Sequence, residues 1–482
     1  MSNALIASAN TRVLITKEYG DANYAGGGGG ALVFSPTGNT SGIIKSGRIE
    51  TDYGPVGANA VDLSFSPGPK SGLSSFGATG QFSITSGYDT TASGNYSTAF
   101  GRRSLATNTD STAFGNETWA SGLSSTSFGE GTRSSGNYST AFGRNTTASG
   151  TYSTTFGFNT TASGTTATAF GTNTSAFGLR STAFGNNTTA SGQDSTAFGL
   201  DSTATDDQAT AWGSLTTASA YASTAWGGST TASGSRSTAW GRLSTASGAT
   251  ATAWGSGTTA NGILATAFGG LTTASGINST AWGAKAVASA QYSTAFGNLT
   301  GANGINSTAF GSSTFATGQF STTWGFNTNA NGELSTAFGR NNIAKSYGET
   351  SLGLFSTTGN TGNPTAWVGS DRLFNIGNGT SFSGRSNALT ILKYGDVLAP
   401  SMTNAIINSA DTKVLITKEY ADVTYAGGVV TTVGALPAGV VGDRAFVTDS
   451  TVAASGNFGA IVTGGNTNAV PVFYNGTNWL IG

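Results

Sequence analysis

An aromatic residue followed by glycine recurs every 14 residues, without a slip, from Phe100-Gly101 to Phe338-Gly339. The series runs through Phe114, Phe142, Trp212 and Trp254, holds 18 aromatics in register, and continues as Leu352-Gly353. Half a period away, Ala92, Ala106, Ala120, Ala148 and so on to Ala344 keep the same step, with Ser134 the one exception. Each repeat thus holds two segments of about five residues, Ser-Thr-Ala-Phe and Thr-Thr-Ala-Ser, each closed by glycine. β-Branched and aromatic residues suit strands, and a glycine at each corner lets the chain turn where φ is positive. The glycine spacing excludes a helix, and a period that repeats Gly and Thr rather than Leu and charge excludes a coiled coil. Two strands and two turns per 14 residues make one coil of a narrow parallel β-solenoid. At about 4.8 Å per coil, roughly 19 coils give a rod about 90 Å long.

Equivalent positions then lie above one another, so Phe stacks on Phe and Ala on Ala in ladders. Alternation places Thr98 and Phe100 on one face of their strand and Ala99 on the other. The Ala99 position holds only small residues, which fits close approach of another backbone. The aromatic series (Phe100, Phe114, Phe142, Trp212, Trp254 and Phe338 among its members) is expected to be a structural ladder in the interior rather than a glycan-stacking surface. The position before Ser varies freely, as Tyr96, Asp110, Arg180 and Leu264, and is expected to face outward. So thin a coil buries little against a backbone entropy of about 1–2 kcal/mol per residue. Packing copies along a shared axis would bury the small-residue face as well, and a cyclic homotrimer is the expected solution.

Composition narrows the chemistry. The 482 residues contain no histidine and no cysteine, which removes disulfides, His-ligated metals, cysteine nucleophiles and Ser-His-Asp triads. Charged residues are 9%, and 21 basic against 22 acidic side chains leave net −1, so nucleic acid is not an expected partner. No run approaches 18 apolar residues, so no helix is expected to insert into a membrane, and the start at Met1–Ile6 shows no basic, apolar leader. Asp206-Asp207 interrupts a corner, but adjacent strand residues point to opposite faces and serve a paired-carboxylate mechanism poorly. It reads as a solvated loop, and Arg102-Arg103 as a surface pair. Asn145, Asn159, Asn173 and Asn187 read as a hydrogen-bonding ladder at a corner. No phosphate or dinucleotide fingerprint appears, and no enzyme activity, cofactor or metal site is expected.

The flanks divide the rest. Residues 3–27 return at 404–428 with 18 of 25 positions identical, both copies carrying Val-Leu-Ile-Thr-Lys-Glu-Tyr. This pattern predicts a strand running into a short helix, so 1–27 is expected to be an attachment neck and 404–428 a second neck. Residues 28–91 are expected to cap the N-terminal end, 92–353 to form the roll and 354–403 to be a connector. Asn475-Gly476 between two apolar runs predicts a hairpin inside a small β tip, 429–482. Phe473, Tyr474 and Trp479 beside that turn are the candidate contact residues, with burial in the trimer core of the tip as the other reading.

The Ser-Thr-Ala-Phe-Gly…Thr-Ala-Ser-Gly repeat resembles the head of trimeric autotransporter adhesins, the YadA-like left-handed parallel β-roll, over residues 92–353. That resemblance implies a trimer with one roll per subunit around the axis. Phe or Trp stands where those adhesins carry Ile or Val, and the secretion signal and membrane β-barrel of that family are not seen in this sequence. The flanks resemble tailed-bacteriophage virion proteins instead. Val-Leu-Ile-Thr-Lys-Glu-Tyr is similar to an element of phage tail fibres, and Asp371-Arg372-Leu373-Phe374 with Arg385-Ser386-Asn387-Ala388-Leu389 to a connector in fibre proteins. Gly442-Asp443-Arg444 with Asn475-Gly476-Thr477-Asn478-Trp479 resembles a C-terminal module of phage structural proteins. The expected function is a stiff trimeric tail fibre, made in the host cytoplasm and carried on the virion. Its N-terminus would join other tail or baseplate proteins, and its tip would meet a host cell-surface glycan or protein receptor. A bacterial trimeric surface adhesin or a head or neck fibre is the alternative, and a polysaccharide-degrading tailspike the third.

Overall fold

The computed structural model describes residues 32–34, 42–45, 53–66, 76–358, 362–400 and parts of 429–481. Among these there is no helix. Both predicted necks lie outside the described residues. The chain divides into two units, Met1–Ser313 and Thr314–Gly482, and its described residues are all-β, a parallel β-solenoid of about 21 turns.

In the first unit each coil has one long and one short strand, such as Thr140–Arg144 and Thr147–Ala148. Long strands pair in parallel with those of the next coil at a 14-residue offset, Phe142 opposite Phe156 and Gly143 opposite Gly157. Short strands do the same, Thr147 opposite Thr161. The second segment was expected to be about five residues long, but only two are extended. The chain bends at once, and the corner backbone bonds across coils in place of a strand: Asn145 N donates to Glu130 O at 2.8 Å and Tyr152 N to Asn137 O at 2.8 Å. The pattern is already present at Gly77–Ala78 and Ile84–Tyr88, ahead of residue 92.

The two sheets face each other so closely that only small side chains fit between them. Ala92, Ala99, Ala106, Ala113 and Ala120 form one fully buried cluster, with Ser97 and Thr118 buried at the corners. The interior is therefore alanine and hydroxyl, and the aromatic ladder is on the outside of the coil. Phe114 is 46% exposed and Trp254 46%. The expectation of an interior ladder fails here within the single chain, because alternation leaves only one inward position between Thr98 and Phe100, and Ala99 fills it.

The corners also differ from expectation. Left-handed backbone falls on non-glycine residues at both bends, Tyr152 (φ 59) and Asn159 (φ 54) for example. Gly185 does have positive φ (+131), and a Cβ there would stand 1.9 Å from Gly199 O in the next coil. The glycine of Ala-Ser-Gly is different. Gly150 has no such φ, yet a Cβ would meet Gly164 O at 2.0 Å, so close approach favours glycine at that bend, although Asn108, Asp206, Ala220 and Ala290 stand there in other coils.

In the second unit three further coils end in a change of strand direction. Thr350–Leu354 pairs in parallel with Arg372–Asn378, which pairs antiparallel with Asn387–Leu392. An antiparallel hairpin cannot extend the solenoid, so the coil stops there. The tip sheet orders Val429–Thr431, Arg444–Ser450, Asn468–Tyr474 and Trp479–Ile481.

Candidate binding surfaces

Three features could engage a partner: the aromatic face, the coil corners and the tip. On the aromatic face, rings of successive coils lie 4.7–4.9 Å apart from Phe114 to Phe198, within 5° of parallel. Trp212, Trp226, Trp240 and Trp254 stack in the same way at 4.8–5.1 Å. Where Phe meets Trp the stack breaks, with Phe198 tilted 37° to Trp212 and Trp254 tilted 59° to Phe268. The spacing follows the strand separation, so the backbone sets the ladder and the rings conform to it. In the second unit Trp324 and Phe338 are edge-on at 5.9 Å.

The corners carry the charge. Arg180 holds Asp194 of the next coil through both carboxylate oxygens, Nε–Oδ1 2.5 Å and Nη2–Oδ2 2.7 Å. These hydrogen bonds hold the Asp194 carboxyl below its ordinary range and raise the Arg180 guanidinium. Arg103 pairs with Glu117 of the next coil through one contact, Nη1–Oε1 2.7 Å. The expected asparagine ladder is present where Asn159 Nδ2 donates to Asn173 Oδ1 at 2.8 Å. Asp206 and Asp207 are exposed and serve the turn itself: Asp206 Oδ1 accepts Asp207 N–H, and Asp207 Oδ1 accepts Gln193 N–H, each at 2.8 Å. Both carboxylates are thus taken up by backbone amides.

At the tip the predicted hairpin forms. Asn475 N donates to Asn478 O, and Asn475 Oδ1 accepts the N–H groups of Thr477 and Asn478. Tyr474 pairs across the strands with Trp479, their rings 5.4 Å apart, whereas Phe473 lies opposite Leu480. The structure thus joins two of the three candidates, all half-buried, over the buried Val472 and Ile481.

Sequence reasoning passed over one cluster. Glu349 stands where the repeat otherwise places a small buried residue, serine as at Ser335 or alanine as at Ala265, and that break in the pattern is its only signal. Its carboxylate is fully buried, accepts Lys345 N–H at 2.7 Å and Ser346 N–H at 2.9 Å, and meets Arg372 Nε at 2.8 Å. These are the amides that a following coil would otherwise take. Beside it, Lys393 and Asp371 are buried 3.9 Å apart.

The profile of the YadA head domain repeat, taken two copies at a time, matches residues 78–104, 106–132, 134–160, 162–188, 190–216, 260–286, 274–300 and 302–322. Every matched segment falls on the coils. Among curated proteins, none matches the chain.

Proposed function

With its coils similar to the YadA head repeat, we propose that this chain is one subunit of a homotrimeric, adhesin-like fibre that attaches to a host surface. The observation that carries this reading is the uncovered aromatic face. A buried aromatic side chain covers about 150–250 Å², and the rings of the first unit are about 40% exposed, Phe128 at 40% and Trp226 at 42%. Together they offer on the order of 1,000 Å² of continuous apolar surface, against about 300–600 Å² for the largest patch on a typical monomer. A second and third copy of the same regular ladder would cover it at constant spacing along a common axis. A single glycan would engage only a few rungs.

The finer reading is a bacteriophage tail fibre: an N-terminal attachment to tail or baseplate proteins, a stiff roll, and a tip presenting Tyr474 and Trp479 to a surface glycan or protein. Three tips at fixed spacing would turn weak contacts into avidity. The short resemblances in the flanks support it, and the chain would then act on the virion as a structural protein without catalysis. The YadA repeat match supports a bacterial trimeric surface adhesin equally.

Light scattering tests the shared core of both readings. The purified chain is expected at three times its 48.0 kDa, and a mass of one chain would overturn the assembly. Locating the protein on purified virions or on intact bacterial cells then separates the two. Trp479→Ala is expected to weaken binding to host cells while the mass stays trimeric. If the trimer fails instead, the residue belongs to the core of the tip.

A further inference from the structure

The Lys393–Asp371 pair makes a poor ion pair. The Lys393 side chain is fully buried, Nζ has no hydrogen-bond partner, and the nearest carboxylate oxygen is 3.9 Å away, beyond hydrogen-bond reach. Its surroundings are the rings of Trp367 at 5.2 Å and Tyr347 at 5.8 Å. A buried charge pair without good geometry does not recover what its ions lose by leaving water. The two residues are nevertheless held side by side, since Lys393 N–H donates to Asp371 O at 2.9 Å.

We propose that Lys393 and Asp371 close an intramolecular isopeptide bond, Nζ to Cγ. Burial lowers the lysine's affinity for its proton, against the pull of Asp371 and Glu349. In a dry site one proton passes from the ammonium to the carboxylate, leaving a neutral amine and a neutral acid. The amine nitrogen attacks Cγ, a C–N bond forms, and one C–O bond of the carboxyl breaks. The hydroxyl leaves with one amine hydrogen as water, and no oxidant or co-reactant is needed. Asn363 N–H, 2.8 Å from Asp371 Oδ2, is placed to hold the charge that develops on that oxygen as the carbon becomes tetrahedral. Glu349 is already occupied by Arg372 and two backbone amides. Holding amine and acid together removes the entropic barrier to condensation, and the product replaces two buried charges with a neutral amide. The bond would tie the residue before Arg372–Asn378 to the residue after its antiparallel partner, Asn387–Leu392.

Mass spectrometry of the intact, denatured full-length chain tests this. The folded wild-type protein is expected to be lighter than its sequence by one water, with a tryptic fragment that joins the segments around Asp371 and Lys393. Lys393→Arg should restore the full sequence mass, and Asp371→Asn should lose ammonia in place of water. A wild-type mass equal to that of the sequence, or a water loss that persists in Lys393→Arg, overturns the proposal. Neither outcome depends on the oligomeric state.

Discussion

Ala141 and Phe142 are neighbours in the chain with opposite surroundings: the alanine is fully buried and the phenylalanine 38% exposed. The inward position can hold little more than a methyl or a hydroxyl group, and much of the interior uses hydroxyls. Where serine stands in the corner column of Thr118 and Thr132, as at Ser104 or Ser202, it donates to the glycine carbonyl of the next coil at 2.9–3.0 Å. Threonines stacked on threonines, among them Thr146, Thr160, Thr174 and Thr188, are buried without a partner. An unbonded buried hydroxyl costs about 1–3 kcal/mol, and valine has nearly the same shape. Thr160→Val is therefore expected to raise stability by about 1 kcal/mol in denaturant titration, and a loss of stability would show that the hydroxyl is bonded in solution. At the surface, the Arg180–Asp194 pair sets a pH dependence. The folded carboxyl is held below its ordinary range, so its stabilisation is present above the unfolded value and disappears as pH falls through the folded one. Asp194→Asn should thus be slightly less stable than the wild type at neutral pH and equal to it in acid. Because the pair is exposed, high salt should also shrink the difference.

Among the strands and corners, the regular coil needs the next coil to satisfy its amides, so its last copy needs a substitute. Glu349 supplies it, giving a side-chain carboxylate to Lys345 N–H and Ser346 N–H where a backbone carbonyl would otherwise lie. Asn342 does the same at the other corner, with Nδ2 donating to Gly353 O and Oδ1 accepting Ser356 N–H. Removing Glu349 strands the buried Arg372 and two amides together, and breaking a buried pair in this way costs about 3–5 kcal/mol. Glu349→Ala should lose amide-exchange protection over 329–354 before the central coils lose theirs, and uniform loss along the chain would contradict a local cap. The repeat itself was legible because a strict 14-residue step leaves one arrangement in which Phe100, Phe114 and Phe128 stack. The direction the ladder faces was not legible. A large apolar residue ordinarily marks a core, and only the two-residue length of strands such as Thr147–Ala148 shows that this coil has no room for one. Glu349 was passed over for a related reason, since its role appears only where the periodicity fails. At the tip, Asn475-Gly476 announced the hairpin. The separation of Phe473 from the Tyr474–Trp479 pair follows from register, which the turn fixes only once it has formed.

For the molecule as a whole, a chain that buries alanine and exposes tryptophan has its larger hydrophobic resource outside itself. Trp212, Trp226, Trp240, Trp254 and Trp282 are each 41–48% exposed in the single chain, so their emission reports directly on whether other copies cover the ladder. In the assembled fibre these indoles leave water and should emit at shorter wavelength than in a dissociated chain. Phe184→Asp separates assembly from folding. The substituted residue points away from the interior of the coil, so a lone chain loses only the stacking of Phe184 on Phe170 and Phe198, about 1 kcal/mol per ring contact. In a trimer closed around the ladder, three carboxylates would meet without partners in a dry seam, at a cost of several kcal/mol. The variant is expected to keep its strand signal in circular dichroism, to sediment as a single chain, and to show red-shifted tryptophan emission. A variant that remained trimeric with unchanged emission would place the contact between subunits on another face and return the aromatic ladder to solvent.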